Sequence, residues 1–254
     1  MKNSYHFTTM VLGLALFALG CTHHAYVSLT PGQDIRDVEI PSGNMQLISN
    51  ASSSFIVGLA YQKDQDRIFA RVIPGTQMLE IERGTGAILR SFVARQVTPG
   101  CGGVSAAIGD IVVCGLAMRW SDRHFFLDHP NGNPITEVDY NGDFVRRITL
   151  QSPGGPIGGL AYDQRTNTIY VLYVTILTVA EIDLDGREIR RFRPQAPIQP
   201  LGLSISPSRR ELYIPIVGAT HTGVFDLGGA LKARHPLQNG GIAGGVGAGP
   251  RWGR

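Results

Sequence analysis

Lysine is scarce. Of 23 basic residues only Lys2, Lys63 and Lys232 are lysines, and the net charge is +3. There is no lysine-rich tail or strongly basic block, so nucleic acid is not expected as a partner. Charged residues make up 17% of the chain. The arginine pairs Arg146-Arg147, Arg190-Arg191 and Arg209-Arg210 are scattered. They read first as solvated edge-strand faces and second as a surface for anionic lipid or polysaccharide. The spacings G-x-S-x-G, H-E-x-x-H and C-x-x-C do not occur, nor do the phosphate-loop and dinucleotide fingerprints, so no specific reaction is indicated. No stretch beyond residue 21 sustains a helical period. Cysteine occurs three times, at Cys21, Cys101 and Cys114.

Apolar runs are short too. The longest opens the chain, where Val11–Leu19 follows Lys2. It falls short of the roughly 20 residues that a bilayer span requires and ends in small residues and a cysteine, the layout of a secretory signal. Its close, Ala18-Leu19-Gly20-Cys21, resembles the lipobox of bacterial lipoproteins, although alanine stands where that family prefers leucine. The resemblance implies cleavage before Cys21, acylation of Cys21, and a membrane partner held through lipid. With Thr22 and not aspartate next, it also implies an outer-membrane location facing the periplasm. Such a compartment is oxidising, and Cys101 and Cys114 are then the two cysteines left to pair. A disulfide closing that loop would contribute about 3 kcal/mol in the chain-entropy model. The alternative is two buried free thiols.

What the chain has in quantity is glycine (32), proline (15) and short β-branched runs, a composition that favours many strands joined by turns. Four segments repeat. They start at Gly58-Leu59-Ala60, Gly115-Leu116-Ala117, Gly159-Leu160-Ala161 and Gly202-Leu203-Ser204. The first three carry Glu80, Glu137 and Glu181 at one shared offset. The last three carry Asp139, Asp183 and Asp226 at another, each followed by a glycine turn. The leading glycine suits strands crowded at a common axis. Asp-x-x-Gly suits a tight turn with Asx hydrogen bonding. A period near 43 residues with four strands per unit is that of a propeller blade.

The pattern P-x-G-L-A-x-D, I-Y-V, E-I-D-x-x-G and R-x-F, best preserved over Pro156–Phe192 and Pro200–Leu237, resembles the NHL-type repeat. That resemblance implies an all-β propeller, of about four to five recognisable blades here, and leaves function open, because the fold hosts lactonases, lyases, receptors and scaffolds. The expected organisation is a signal peptide over 1–20, a tether with closing strands over 21–54, the propeller over 55–237, and a disordered Gly-rich tail over 238–254. Blades are short in number, so Tyr26–Ile48 is expected either to supply a degenerate blade or to close the ring. Failing that, an open ring would call for an oligomer. Residues 93–114 interrupt the period. They form either an extra hairpin between blades or, as the Pro99-Gly100 and Gly102-Gly103 run favours, an innermost strand of their own.

One local constellation offers chemistry. The loop Asp128-His129-Pro130-Asn131 places a carboxylate, an imidazole and an amide together, and His221 occupies the corresponding loop of the last repeat. These four are the candidate ligand or metal residues, although a plain turn accounts for the same residue types. No cofactor is expected, with a divalent cation the exception that these donors would admit. His23-His24 read as part of a flexible tether. The expected function is an envelope-anchored binding or scaffold module for a protein or glycan. The rival is a metal-dependent enzyme similar to the lactonase or lyase propellers, which requires Asp128, His129, His221 and acidic residues of other blades to converge; a third reading is a shortened paralogue with lost activity.

Overall fold

The computed structural model describes residues 23–29, 34–40, 42–50, 55–73, 75–100, 102–104, 111–217, 221–237 and 243–250. Residues 1–22, with Cys21 and the signal-like stretch, lie outside them.

Five antiparallel four-stranded sheets form the blades of an all-β propeller. The second blade is β4 (Ile56–Gln62), β5 (Arg67–Val72), β6 (Gln77–Glu82) and β7 (Ile88–Val93). The third is β10 (Leu116–Arg119), β11 (His124–Asp128), β12 (Ile135–Val138) and β13 (Phe144–Ile148). The fourth is β14 (Ile157–Asp163), β15 (Thr168–Tyr173), β16 (Thr178–Ile182) and β17 (Glu188–Phe192). The fifth is β18 (Ser204–Ser206), β19 (Glu211–Pro215), β20 (His221–Asp226) and β21 (Leu231–Pro236). The first blade is made from both ends of the described chain. β1 (His23–Leu29), β2 (Asp34–Ile40) and β3 (Met45–Asn50) continue from β22 (Ala243–Pro250), in the order β22-β1-β2-β3.

Two expectations change here. Ala243–Pro250, read as part of a disordered tail, is a strand paired along β1 from His23↔Pro250 to Leu29↔Ala243. The strands expected within 21–54 are present, three of them in this same blade, but His23 and His24, read as part of a flexible tether, are buried in its β1. β22 lies beside β4 and β18, so it takes the innermost place in its blade and closes the ring. The condition attached to oligomerisation, an open ring, is therefore not met. Glycine and alanine carry no β propensity, but backbones crowd at the axis, where small residues allow close approach. The same crowding explains the glycine that opens each repeat. A Cβ on Gly159 would lie 2.4 Å from the backbone nitrogen of Leu203 in the next blade.

The irregular segment holds a separate two-stranded sheet, β8 (Gly102–Val104) with β9 (Ile111–Val113), between the second and third blades. This corrects the reading that favoured an innermost strand there. That place belongs to Leu116–Arg119.

Middle strands are apolar because both faces are covered. All six residues of β15 are buried, and its side chains divide between two interblade clusters, Ile169 and Val171 facing one way and Tyr170 and Leu172 the other. The recurring aspartates make the turn they suggest. Asp183 Oδ1 accepts from the amides of Asp185 (3.0 Å) and Arg187 (2.9 Å), and Asp139 and Asp226 repeat the geometry. Gly186 follows with φ +80°, and a Cβ there would meet the Thr149 carbonyl oxygen of the preceding blade at 2.1 Å.

The recurring glutamates are also structural. On the third strand of their blades, Glu80, Glu137 and Glu181 stand in register with Arg90, Arg146 and Arg190 on the outer strand. Each arginine Nε donates to its partner's Oε2 at 2.6, 2.7 and 2.6 Å respectively. In the fifth blade the same register holds Val224 and Ala233, an apolar substitute. In the first blade it holds Asp37 and Gln46.

Candidate functional site

The loop Asp128–Asn131 leaves β11 and turns toward β12. Asp128 is 1% exposed. The fully buried Arg71 of β5, from the neighbouring blade, donates to the Asp128 carboxylate and to its carbonyl oxygen (3.0 Å). Arg71 also donates to the carbonyls of Gly75 (2.6 Å) and Gly115 (2.7 Å), and the Gly115 amide donates to Asp128 Oδ1 at 2.9 Å. Burial pushes the Asp128 carboxyl up to about 6, against the pull of Arg71. The pair clamps two blades at their inner ends. Asp128 Oδ1 is taken by Arg71 and the Gly115 amide, whereas Oδ2 is buried without a hydrogen-bond partner among the described residues.

His129 is held between two hydroxyls, Thr98 Oγ1 on Nδ1 (2.8 Å) and Thr136 Oγ1 on Nε2 (2.7 Å). Burial, and then the nearby Arg147 and Arg71, lower its pKa, so the ring is neutral at pH 7. Asn131 is exposed. His221 begins β20 in the fifth blade, two blades from Asp128. Among the described residues Asp128, His129 and His221 do not form a close group of metal-ligating atoms, which the enzyme reading requires. Arg71 was missed in the sequence because nothing local separates a buried arginine on a strand from an exposed one. Cys114, just before Gly115, is disulfide-bonded, and its Sγ lies 4.0 Å from the Gly100 carbonyl oxygen. Cys101 lies outside the described residues.

Asp122, His124 and Glu137 bring ligand atoms within 4.8 Å of one another, a grouping not read from the sequence. Arg119 already fills it. Its guanidinium donates to Asp122 Oδ2 (2.6 Å) and Glu137 Oε1 (2.5 Å), while His124 Nδ1 lies 2.7 Å from the same Glu137 oxygen. Burial raises the Glu137 carboxyl, but Arg146, His124 and Arg119 outweigh it, so the group is held below its ordinary range. This is a salt-bridge network with its cation supplied by the chain.

A pocket lined by the innermost strands of four blades, with Leu59, Leu116, Leu160 and Ile205 among its walls, encloses about 30 Å³. Trp120 sits among the lining residues, its Nε1 donating to the Tyr61 carbonyl at 2.9 Å. A space of that size suits roughly one water.

A larger opening lies between the fourth and fifth blades. Leu177 and Arg193–Ile198 line a groove of 380 Å³. Arg193 donates to the Ile176 carbonyl (3.3 Å), and the Val217 amide donates to that of Pro197 (3.0 Å). Ile176 and Val217 thus flank the groove, 37% and 61% exposed.

No family model matches the sequence, and no curated protein matches it. Among solved structures, a chain from the crystal structure of a nidogen/laminin complex superposes with a TM-score of 0.61 at 11% identity, over 89% of this chain and 98% of that one. A Bacteroides caccae protein of unknown function (TM-score 0.47, 12% identity, 86% and 74% covered) and Kuenenia stuttgartiensis hydrazine synthase (0.45, 14%, 71% and 49%) are more distant. At such identities the first likeness bears on fold alone, and the protein is a five-bladed β-propeller.

Proposed function

We propose that the protein is an envelope-anchored binding module that engages a protein partner through the groove between its fourth and fifth blades. The observation that carries this reading is the exposure of Val217 and Ile176 beside a 380 Å³ groove on a rigid scaffold. Arg193 adds one cation and Gln195 one amide to a wall that is otherwise apolar and proline-rich, suited to a segment with an acidic residue next to an apolar one.

The anchor is Cys21, on the strength of the lipobox resemblance. Only Thr22 separates it from β1, so acyl chains there would hold the propeller within about 7 Å of the bilayer surface, at about 3.5 Å per residue. His23 begins the second strand of its blade, whereas Ile176 and Val217 follow the ends of second strands in theirs. The groove therefore opens on the opposite face from the anchor, away from the membrane.

Two measurements test the parts separately. Intact mass of membrane-extracted protein should show a lipid increment that disappears in Cys21→Ala; an unchanged mass would refute the anchor alone. A photo-crosslinking residue at position 217 should yield one discrete protein adduct in cells, lost in Ile176→Asp. Diffuse labelling, or an adduct indifferent to Ile176→Asp, would refute the groove.

A further inference from the structure

A second opening lies between the outer parts of the first and second blades. Asp37, Gln46, Leu47, Ile48, Arg83 and Thr85 line most of this cavity of 190 Å³. Its floor is ionic. The Asp37 carboxylate is 4% exposed, with His24 Nδ1 at 2.5 Å from one oxygen and Arg83 Nη1 at 3.8 Å from the other. The Nε and Nη2 of Arg83 are bound to Asp66 at 2.6 and 2.8 Å, which turns its remaining nitrogen toward Asp37.

The other blades show what belongs in this space. Asp37 occupies the position of Glu80, Glu137 and Glu181, two residues before the turn that follows the third strand. In all three of those blades the outer strand supplies an arginine over the carboxylate. Two of those carboxylates have a second arginine as well: Arg67 with Arg90 on Glu80, and Arg119 with Arg146 on Glu137. Where the outer-strand arginine should stand, the first blade has Gln46, whose side chain is exposed. Aspartate is one methylene shorter than glutamate, which sets the carboxylate deeper. Asp37 and Gln46 both line the cavity, which therefore lies beside the position that the outer-strand arginine takes in those three blades.

We infer that this cavity is a binding site for a guanidinium group, supplied by an arginine side chain of a partner protein. A planar guanidinium matches a recessed carboxylate with two parallel N–H donors, which an ammonium cannot do. Arg83 does not preclude it, because Glu80 and Glu137 each hold two guanidinium groups in this same fold. Leu47 and Ile48 supply apolar wall for the stem of the incoming side chain. The site is independent of the Cys21 anchor and of the Val217 groove.

The test uses Nα-acetylarginine amide as probe, titrated into the purified chain and followed by NMR shifts. Its citrulline counterpart, equal in shape but uncharged, is the control. The arginine probe should bind saturably and about tenfold or more tighter than the citrulline probe. Gln46→Arg should supply the outer-strand pair seen in the other blades, weaken probe binding by at least about tenfold, and raise the melting temperature. Gln46→Glu should tighten binding several-fold through added negative charge. Absent saturation, equal binding of the two probes, or binding unchanged in Gln46→Arg would each overturn the assignment. Gln46 is exposed, so neither substitution endangers the fold.

Discussion

His23 Nε2 lies 2.6 Å from Ser206 Oγ, joining the first strand described to the innermost strand of the fifth blade across 183 positions of sequence. With the β1–β22 pairing, this contact holds the ring shut. The imidazole is buried, and burial, followed by the charge of Arg209, lowers its pKa to about 4. A histidine lowered in the folded state stabilises while neutral. That contribution is complete above its unfolded value of about 6.5 and is lost as the pH falls toward 4. Asp128, raised to about 6, shifts stability the opposite way over much of the same range, so the effect of His23 must be isolated by difference. In urea unfolding, the stability of the parent chain relative to His23→Gln should fall between pH 6.5 and 4, by at most about 1.4 kcal/mol per pH unit. A pH-independent difference would refute the assignment.

Arg71 and Asp128 make the second test. Removing one partner leaves a buried charge unmatched, so Arg71→Met and Asp128→Leu should each destabilise by about 3–5 kcal/mol. The double variant Arg71→Met/Asp128→Leu should recover a large part of that loss, because an apolar pair carries no desolvation cost. Chemical denaturation of the four proteins gives the coupling directly. Additive losses would mean that the pair does not act as a clamp.

Closure by β22 leads to a third expectation. A chain ending at Leu237 would expose the inner edge of β1 and leave a gap beside β4 and β18. Its thermal transition, followed by circular dichroism, should broaden or shift down by more than about 8 °C, the shift that roughly 2–4 kcal/mol produces in a domain of this size. Size-exclusion chromatography should show self-association. A monomer that melts like the full chain would exclude the closing role.

Much of the blade is legible locally. The glycine that opens a repeat, the aspartate turn and the β-branched middle strand are set by backbone conformation and short-range periodicity, and Gly159, Asp183 and β15 behave as their types require. The glutamate register could be read as recurring and structural, but not its partners, since Arg90, Arg146 and Arg190 meet it only across the pairing of two strands.

The candidate sites were less legible. Asp128 and His129 have the residue types of a ligand loop, yet which groups face them depends on the neighbouring blade. Arg71 comes from 57 positions away, and Thr98 from 31. Sequence composition also misled at Ala243–Pro250, because its place in the ring comes from pairing with β1 and not from any β propensity.

The chain alone thus determined the repeating unit and its turns, which follow from φ preferences, Asx hydrogen bonding and alternation within some ten residues at a time. Only the tertiary structure decided the blade count, the closing strand, the Arg71–Asp128 clamp and the cavity beside Asp37. Each of these depends on groups far apart in sequence that meet because five sheets pack around one axis.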